Sequence, residues 1–185
     1  MKALCIIGSP RKKGCTEKIV SAMAKGMSEK GIETKIIFIS DLNIKYCIGC
    51  MKCLSTQRCV LSDDVGGLMN ELMDSDIILV ASPSYWGDIT GQLKVFIDRN
   101  TPYGKSCDNG SCVPPNKVGI AVALRAGESK DENQHILGTL NNYYRHLNIR
   151  PIDSYTVEGV TEREDLKEEH IQAAYELGLR VPLLI

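Results

Sequence analysis

The chain has 185 residues, is 43% hydrophobic and carries a formal net charge of −1. That length supports one globular domain with its own core, and the near-zero charge offers nothing to nucleic acid or to an anionic membrane. No apolar run approaches the roughly 18 residues of a membrane span, and no signal-peptide pattern follows Met1, so the expected compartment is the cytoplasm.

In chain order, strand and helix patterns alternate. Ala3–Ile7 is a short apolar run closed by Gly8, as in a buried strand. From Thr16 to Lys30, Ile19, Val20, Met23 and Met27 share one helical face, and Gly31 ends the helix. Lys35–Ser40 reads as a second strand. Val65, Leu68, Met69 and Leu72 recur at helical spacing, and Ile77–Ala81 is apolar throughout, a strand buried on both faces. Leu93, Phe96 and Ile97 mark a short helix. Val118–Leu124 is a fourth strand, followed by Ile136, Leu140, Tyr144 and Leu147 on a helix. Arg150–Val157 is the last strand, and Pro151, which lacks a ladder donor, favours a sheet edge. Leu166, Ile171, Ala174 and Leu177 give the final helix. Five strands alternating with five helices make an α/β, doubly wound parallel sheet. Ligands of such a sheet sit beyond the carboxyl ends of its strands, so the loops after strands one, three and four are the ones to inspect.

After strand one comes Gly8-Ser9-Pro10-Arg11-Lys12-Lys13-Gly14-Cys15-Thr16, a short basic loop that opens a helix. Free N–H groups and the positive dipole of a helix start would hold a phosphate there, with Ser9, Thr16 and Arg11. The plain alternative is a polar turn in which Thr16 caps the helix. The loop is neither G-x-G-x-x-G nor a Walker sequence, which speaks against a dinucleotide or a nucleoside triphosphate. After strand three, Ser82-Pro83-Ser84-Tyr85-Trp86-Gly87 sets the only Trp beside a Tyr, and such aromatics would wall a flat heteroaromatic ligand.

The loop after strand two holds Cys47, Cys50, Cys53 and Cys59, spaced C-x2-C-x2-C-x5-C. Eight cysteines in a reducing compartment read as metal ligands or redox groups rather than as a disulfide framework. Spacing this compact suits an iron–sulfur cluster, while a zinc site or metal-free redox thiols stay open. Cys107 and Cys112 flank a turn; they pair on oxidation, approach the main site, or are plain surface thiols. Asp63-Asp64 precede a helix and would stabilise its positive end, and Lys94 and Arg99 read as solvated charges on a helix face. His135, His146 and His170 lack metal-ligand spacing and read as surface or capping residues.

Gly8-Ser9-Pro10-Arg11, the segment Ser82–Arg99 ending in Phe96-Ile97-Asp98-Arg99, and the four-cysteine loop together resemble the iron–sulfur flavoproteins, a branch of the NADPH-dependent FMN reductases. The resemblance implies a flavodoxin-like sheet of order 2-1-3-4-5 with helices on both faces. It also implies one FMN-binding domain over residues 1–185 and a flavin-dependent oxidoreductase activity. By the same resemblance, Ser9, Arg11 and Thr16 hold the FMN phosphate, and Pro83, Ser84, Tyr85, Trp86 and Gly87 line the isoalloxazine. Arg125 and Gly127, after strand four, add flavin contacts. Cys47, Cys50, Cys53 and Cys59 would ligate a [4Fe-4S] cluster. Two positions depart from the pattern: Cys15 stands where Asn or Ser is common, and the loop after strand four lacks a Gly-Gly pair. The expected partners are a ferredoxin-like carrier or NAD(P)H and a small-molecule acceptor, in a homodimer or homotetramer. Two alternatives remain, an NAD(P)H-dependent FMN or quinone reductase without a cluster, and a non-catalytic thiol or metal sensor.

Overall fold

The computed structural model describes all 185 residues. Five parallel strands, β1 (Lys2–Ile7), β2 (Glu33–Phe38), β3 (Ile77–Pro83), β4 (Val118–Leu124) and β5 (Arg150–Val157), form one sheet in the order β2-β1-β3-β4-β5. This is the doubly wound, flavodoxin-like order expected, with its switch point between β1 and β3. The central strands are buried along their length because helices cover both faces, which is why they read as unbroken apolar runs. One face carries α1 (Cys15–Glu29) and α6 (Glu168–Arg180), with Ile19, Val20, Met23 and Met27 meeting Ala174 and Leu177 over the sheet. The other carries α3 (Val65–Asp74), α4 (Gly91–Asp98) and α5 (Lys130–His146). A sixth helix, α2 (Cys53–Thr56), is a single turn inside the cysteine loop and has no buried residue.

The edges differ from expectation in explicable ways. β3 runs on to Pro83 because Ser82 and Pro83 still lie opposite Ala123 and Leu124 of β4. β2 stops at Phe38, and Ile39–Asp41 coil into a 3-10 turn. Leu166, expected on the last helix, precedes it as a buried residue after a 3-10 turn at Arg163–Asp165. β5 is the edge strand its proline foretold, and the register with β4 shifts at Gly119/Ile120, opposite Pro151.

Two close approaches shape the core. The side chain of Tyr144 lies flat over β4, where a Cβ on Gly119 would come within 2.7 Å of its ring. The Tyr144 hydroxyl accepts from the Val80 amide at 3.0 Å and donates to the Ile120 carbonyl at 2.7 Å, so a buried phenol is satisfied between two strands. At the strand ends, Gly8 packs under α4, and a Cβ there would meet Leu93 at 2.9 Å. Thr90 fastens this junction: its hydroxyl donates to the Gly8 carbonyl at 2.7 Å, its amide donates to Ser82 Oγ at 3.0 Å, and it caps α4. No helix is long and apolar enough to cross a membrane.

Candidate functional site

The carboxyl ends of β1, β3, β4 and β5 open into one cleft. Ser9, Arg11, Gly14, Cys15 and Thr16 form its floor, Pro83, Ser84 and Tyr85 one wall, and Leu124, Arg125 and Ala126 the other. Ser9 and Thr16 are buried, whereas Arg11 is largely exposed and reaches across to the Thr161 carbonyl at 3.1 Å and to Glu162 at 3.7 Å. Thr16 does not cap α1. Gly14 is the cap and offers no side-chain bond, so most of the amides of the first turn face the cleft end unpaired, the condition that favours an anion. Cys15 turns its thiol to the Glu162 carbonyl at 3.2 Å; burial first, then Asp165 and Glu162, push that thiol up, which keeps it neutral.

The aromatic loop is a tight hairpin. Tyr85 and Asp88 exchange both backbone bonds, at 2.8 and 3.2 Å, leaving Trp86 and Gly87 at the tip with φ of 56° and 81°. A two-residue turn of this hand needs positive φ at both central positions, which glycine accepts and tryptophan does not favour. The indole stands wholly in solvent at the rim rather than in the cleft. Beyond Tyr85 lies a second, apolar cleft of about 630 Å³, walled by Ile39, Leu42, Ile44, Tyr46 and Val95.

Glu132, on the first turn of α5, joins the two walls. It accepts from Ser84 Oγ at 2.8 Å and pairs with Arg125 at 3.2 Å. Arg125 is largely buried, donates to the Ser129 carbonyl at 2.6 Å, and its Nε has no partner within the protein. Gly127 makes room for it, since a Cβ at that position would sit 2.4 Å from the guanidinium. Sequence reasoning missed Glu132, Val160 and Thr161. Ser129-Lys130-Asp131-Glu132 has the spacing of a capping box, a pattern that would keep Glu132 at its own helix end. Nothing local says that it turns to the cleft instead.

The cysteine loop is a separate site. Cys47, Cys50, Cys53 and Cys59 all line one small apolar pocket with Ile48, Met51, Val60 and Leu61. Left-handed residues at Gly49, Met51 and Gln57 wind the chain around it. Burial raises the Cys53 thiol, and the neighbouring Cys59, Cys50 and Cys47 add to the effect. A donor set of four thiols, with no imidazole or carboxylate, around an apolar pocket fits an iron–sulfur centre better than a hard cation.

Two assignments need correction here, and one open reading is narrowed. Of the readings left open for Cys107 and Cys112, a pair of surface thiols does not hold for Cys107, which is buried and packs under the loop with its Sγ 3.3 Å from the Cys53 carbonyl, while Cys112 is exposed. Arg99 is 2% exposed and paired with a buried Asp63, not solvated. Asp63 does accept from the Val65 amide at the start of α3, at 3.2 Å, but its main partners are Arg99 and the Lys45 amide. The reason is the same in each case, a long-range partner that local patterning does not reveal. Lys94 stays exposed on its helix, bonded to Asp98. His170 caps α6 by accepting from the Lys167 amide at 3.3 Å, and His135 and His146 are exposed.

Residues 1–159 match the family of NADPH-dependent FMN reductases. An iron–sulfur flavoprotein of Archaeoglobus fulgidus is 34% identical over 181 residues, covering 98% of this chain and 79% of the relative. Another, from Methanosarcina thermophila, is 31% identical over 181 residues, covering 91% and 93%. Among solved structures, an NAD(P)H:quinone oxidoreductase from Methanothermobacter marburgensis superposes with a TM-score of 0.79 at 15% identity, covering 98% of this chain and 97% of that one. That last likeness bears on the fold alone.

Proposed function

The chain belongs to the NADPH-dependent FMN reductase family, among its iron–sulfur flavoproteins, and is a flavin-dependent oxidoreductase whose cofactor is FMN; on that premise we propose that it passes electrons between a ferredoxin-like one-electron carrier and a small-molecule acceptor. The reading includes a single FMN-binding domain, a [4Fe-4S] cluster held by Cys47, Cys50, Cys53 and Cys59, and a cytoplasmic homodimer or homotetramer. The observation that carries it is two separate sites on one fold: a cleft at the strand ends and a pocket lined by four thiols.

When bound, FMN supplies one- and two-electron redox chemistry, and the cluster supplies one-electron exchange. The protein's part is placement. The uncapped amides of α1, with Ser9 and Thr16, would hold the FMN phosphate, and Arg11 would approach it from the solvent side. Pro83, Ser84 and Tyr85 would wall the ring, with Trp86 and Gly87 at its rim. Arg125, with one N–H unpaired and Gly127 making space, would meet the polar edge of the ring, and Glu132 would hold Arg125 and Ser84 in register. The apolar cleft sharing Tyr85 supports a flat, uncharged acceptor. Exposed Ile48, Met51, Val60 and Trp86 support self-association.

The family's NADPH dependence favours a second reading, in which a nicotinamide delivers hydride to the flavin and the cysteines serve otherwise. Anaerobic stopped-flow mixing with NADH, NADPH and reduced ferredoxin separates the two. Fast flavin reduction by ferredoxin, lost in Cys53→Ala, is the result expected. Fast reduction by NADPH, unchanged in Cys53→Ala, would instead establish the nicotinamide-dependent reading.

A further inference from the structure

The cysteine loop leaves the fold after Lys45 and rejoins it at Asp63, and both ends close over one buried cation. Arg99, the cap residue of α4, is 2% exposed. Its Nη1 donates to the Lys45 carbonyl at 2.7 Å and to the Asp63 carboxylate, and its Nη2 donates to Asp63 Oδ1 at 3.2 Å. The Leu61 carbonyl lies 3.5 Å from Nη2. Asp63 in turn accepts from the Lys45 amide at 2.9 Å, so the ion pair and the backbone form one knot across the neck of the loop. Through the Leu61 carbonyl the guanidinium lies against the backbone two residues beyond Cys59, and its Nε has no partner among the protein's own groups. Nothing in the flavin cleft touches this knot.

We infer that Arg99 is a positioning residue for the metal centre of the cysteine loop: it ties the two ends of the loop together and holds a buried, Asp63-paired guanidinium against the backbone two residues from Cys59. The inference rests on the reading of that loop as an iron–sulfur site. A buried cation and N–H donor near a ligating thiolate favours the more negative, reduced state of a cluster and so raises its potential. Lysine keeps the charge but cannot span two carbonyls and a carboxylate with one ammonium head.

The test uses wild-type protein, Arg99→Lys and Arg99→Gln, purified anaerobically. Iron, acid-labile sulfide and FMN are measured, followed by a redox titration monitored by the electron paramagnetic resonance of the reduced cluster. We expect Arg99→Gln to hold less than half the wild-type iron and sulfide at an unchanged FMN content, with the remaining cluster titrating at lower potential. Arg99→Lys should change in the same direction by less, and it carries the test if the unpaired Asp63 keeps Arg99→Gln from folding. Wild-type loading and potential in the variants would overturn the inference. So would reduced loading with an unchanged potential, which makes Arg99 a residue of the fold only. A wild-type protein without iron and sulfide would overturn the reading of the loop, and the inference with it.

Discussion

Cys5 lies inside β1 with no exposed surface, and burial pushes its thiol up to about 12, from 9.0. The folded state therefore holds this proton more tightly than the unfolded chain does. Stability from this group is complete below about pH 9 and is lost as pH rises towards 12, so denaturant titrations at alkaline pH should show a steeper decline in wild type than in Cys5→Ala. The other thiols sort by surroundings as well. In cluster-free protein, Cys47, Cys50, Cys59 and Cys112 should react quickly with a thiol reagent, and Cys5 and Cys107 only after unfolding. In loaded protein Cys112 alone should stay fast; rapid labelling of Cys50 there would contradict its role as a ligand. At this scale the sequence was half legible. Ser9, Thr16, Ser84 and Tyr85 could be named because glycine-bounded loops after strands are places where ligands sit. Glu132, Arg99 and Asp63 could not, because each acts on a residue more than thirty positions away.

Among the elements, α1 and α6 come closest where Gly26 faces Gly178. A Cβ on Gly178 would lie 2.2 Å from the Met23 carbonyl oxygen, so Gly178→Ala must push the helices apart, against the usual gain of alanine in a helix. Overpacking of this kind costs about 1–3 kcal/mol, and chemical denaturation should show a loss in that range. A gain in stability would mean that the two helices are not so close. The neck of the cysteine loop makes a second prediction. Burial opposes the ionisation of Asp63, but the Arg99 guanidinium and the Lys45 and Val65 amides outweigh it and hold the carboxyl below its usual 3.8. Its contribution is present above that usual value and disappears as pH falls through the lower folded one. Acid unfolding of Asp63→Asn should thus lose part of the wild-type pH dependence below about pH 4, while an unchanged profile would remove Asp63 from the account. The strands were legible because parallel strands covered on both faces are continuous apolar runs. The single turn α2 was not, since it buries nothing and has no periodicity to display.

For the molecule as a whole, alternation of strands and helices was enough to fix a doubly wound sheet, and the sheet order is the one that the family resemblance implied. That order sends the ends of β1, β3 and β4 to one edge, where the basic loop after β1 and the aromatic loop after β3, far apart in sequence, become two sides of a cleft. What supports the cysteine loop was not legible, because the supports arrive from elsewhere. Arg99 comes from the end of α4, and the segment after Cys107 docks through the Asp108 amide on the Leu54 carbonyl at 3.0 Å and Gly110 on Gln57 at 2.8 Å. The account holds that cleft and loop are independent sites for two redox groups in one chain. Anaerobic preparations of wild type and Cys53→Ala, assayed for released flavin, iron and acid-labile sulfide, test this most directly. Wild type should yield FMN with about four iron and about four sulfide per flavin, and Cys53→Ala should yield the same FMN with iron and sulfide lost. Release of FAD, stoichiometric zinc without sulfide, or loss of FMN together with the iron would contradict it.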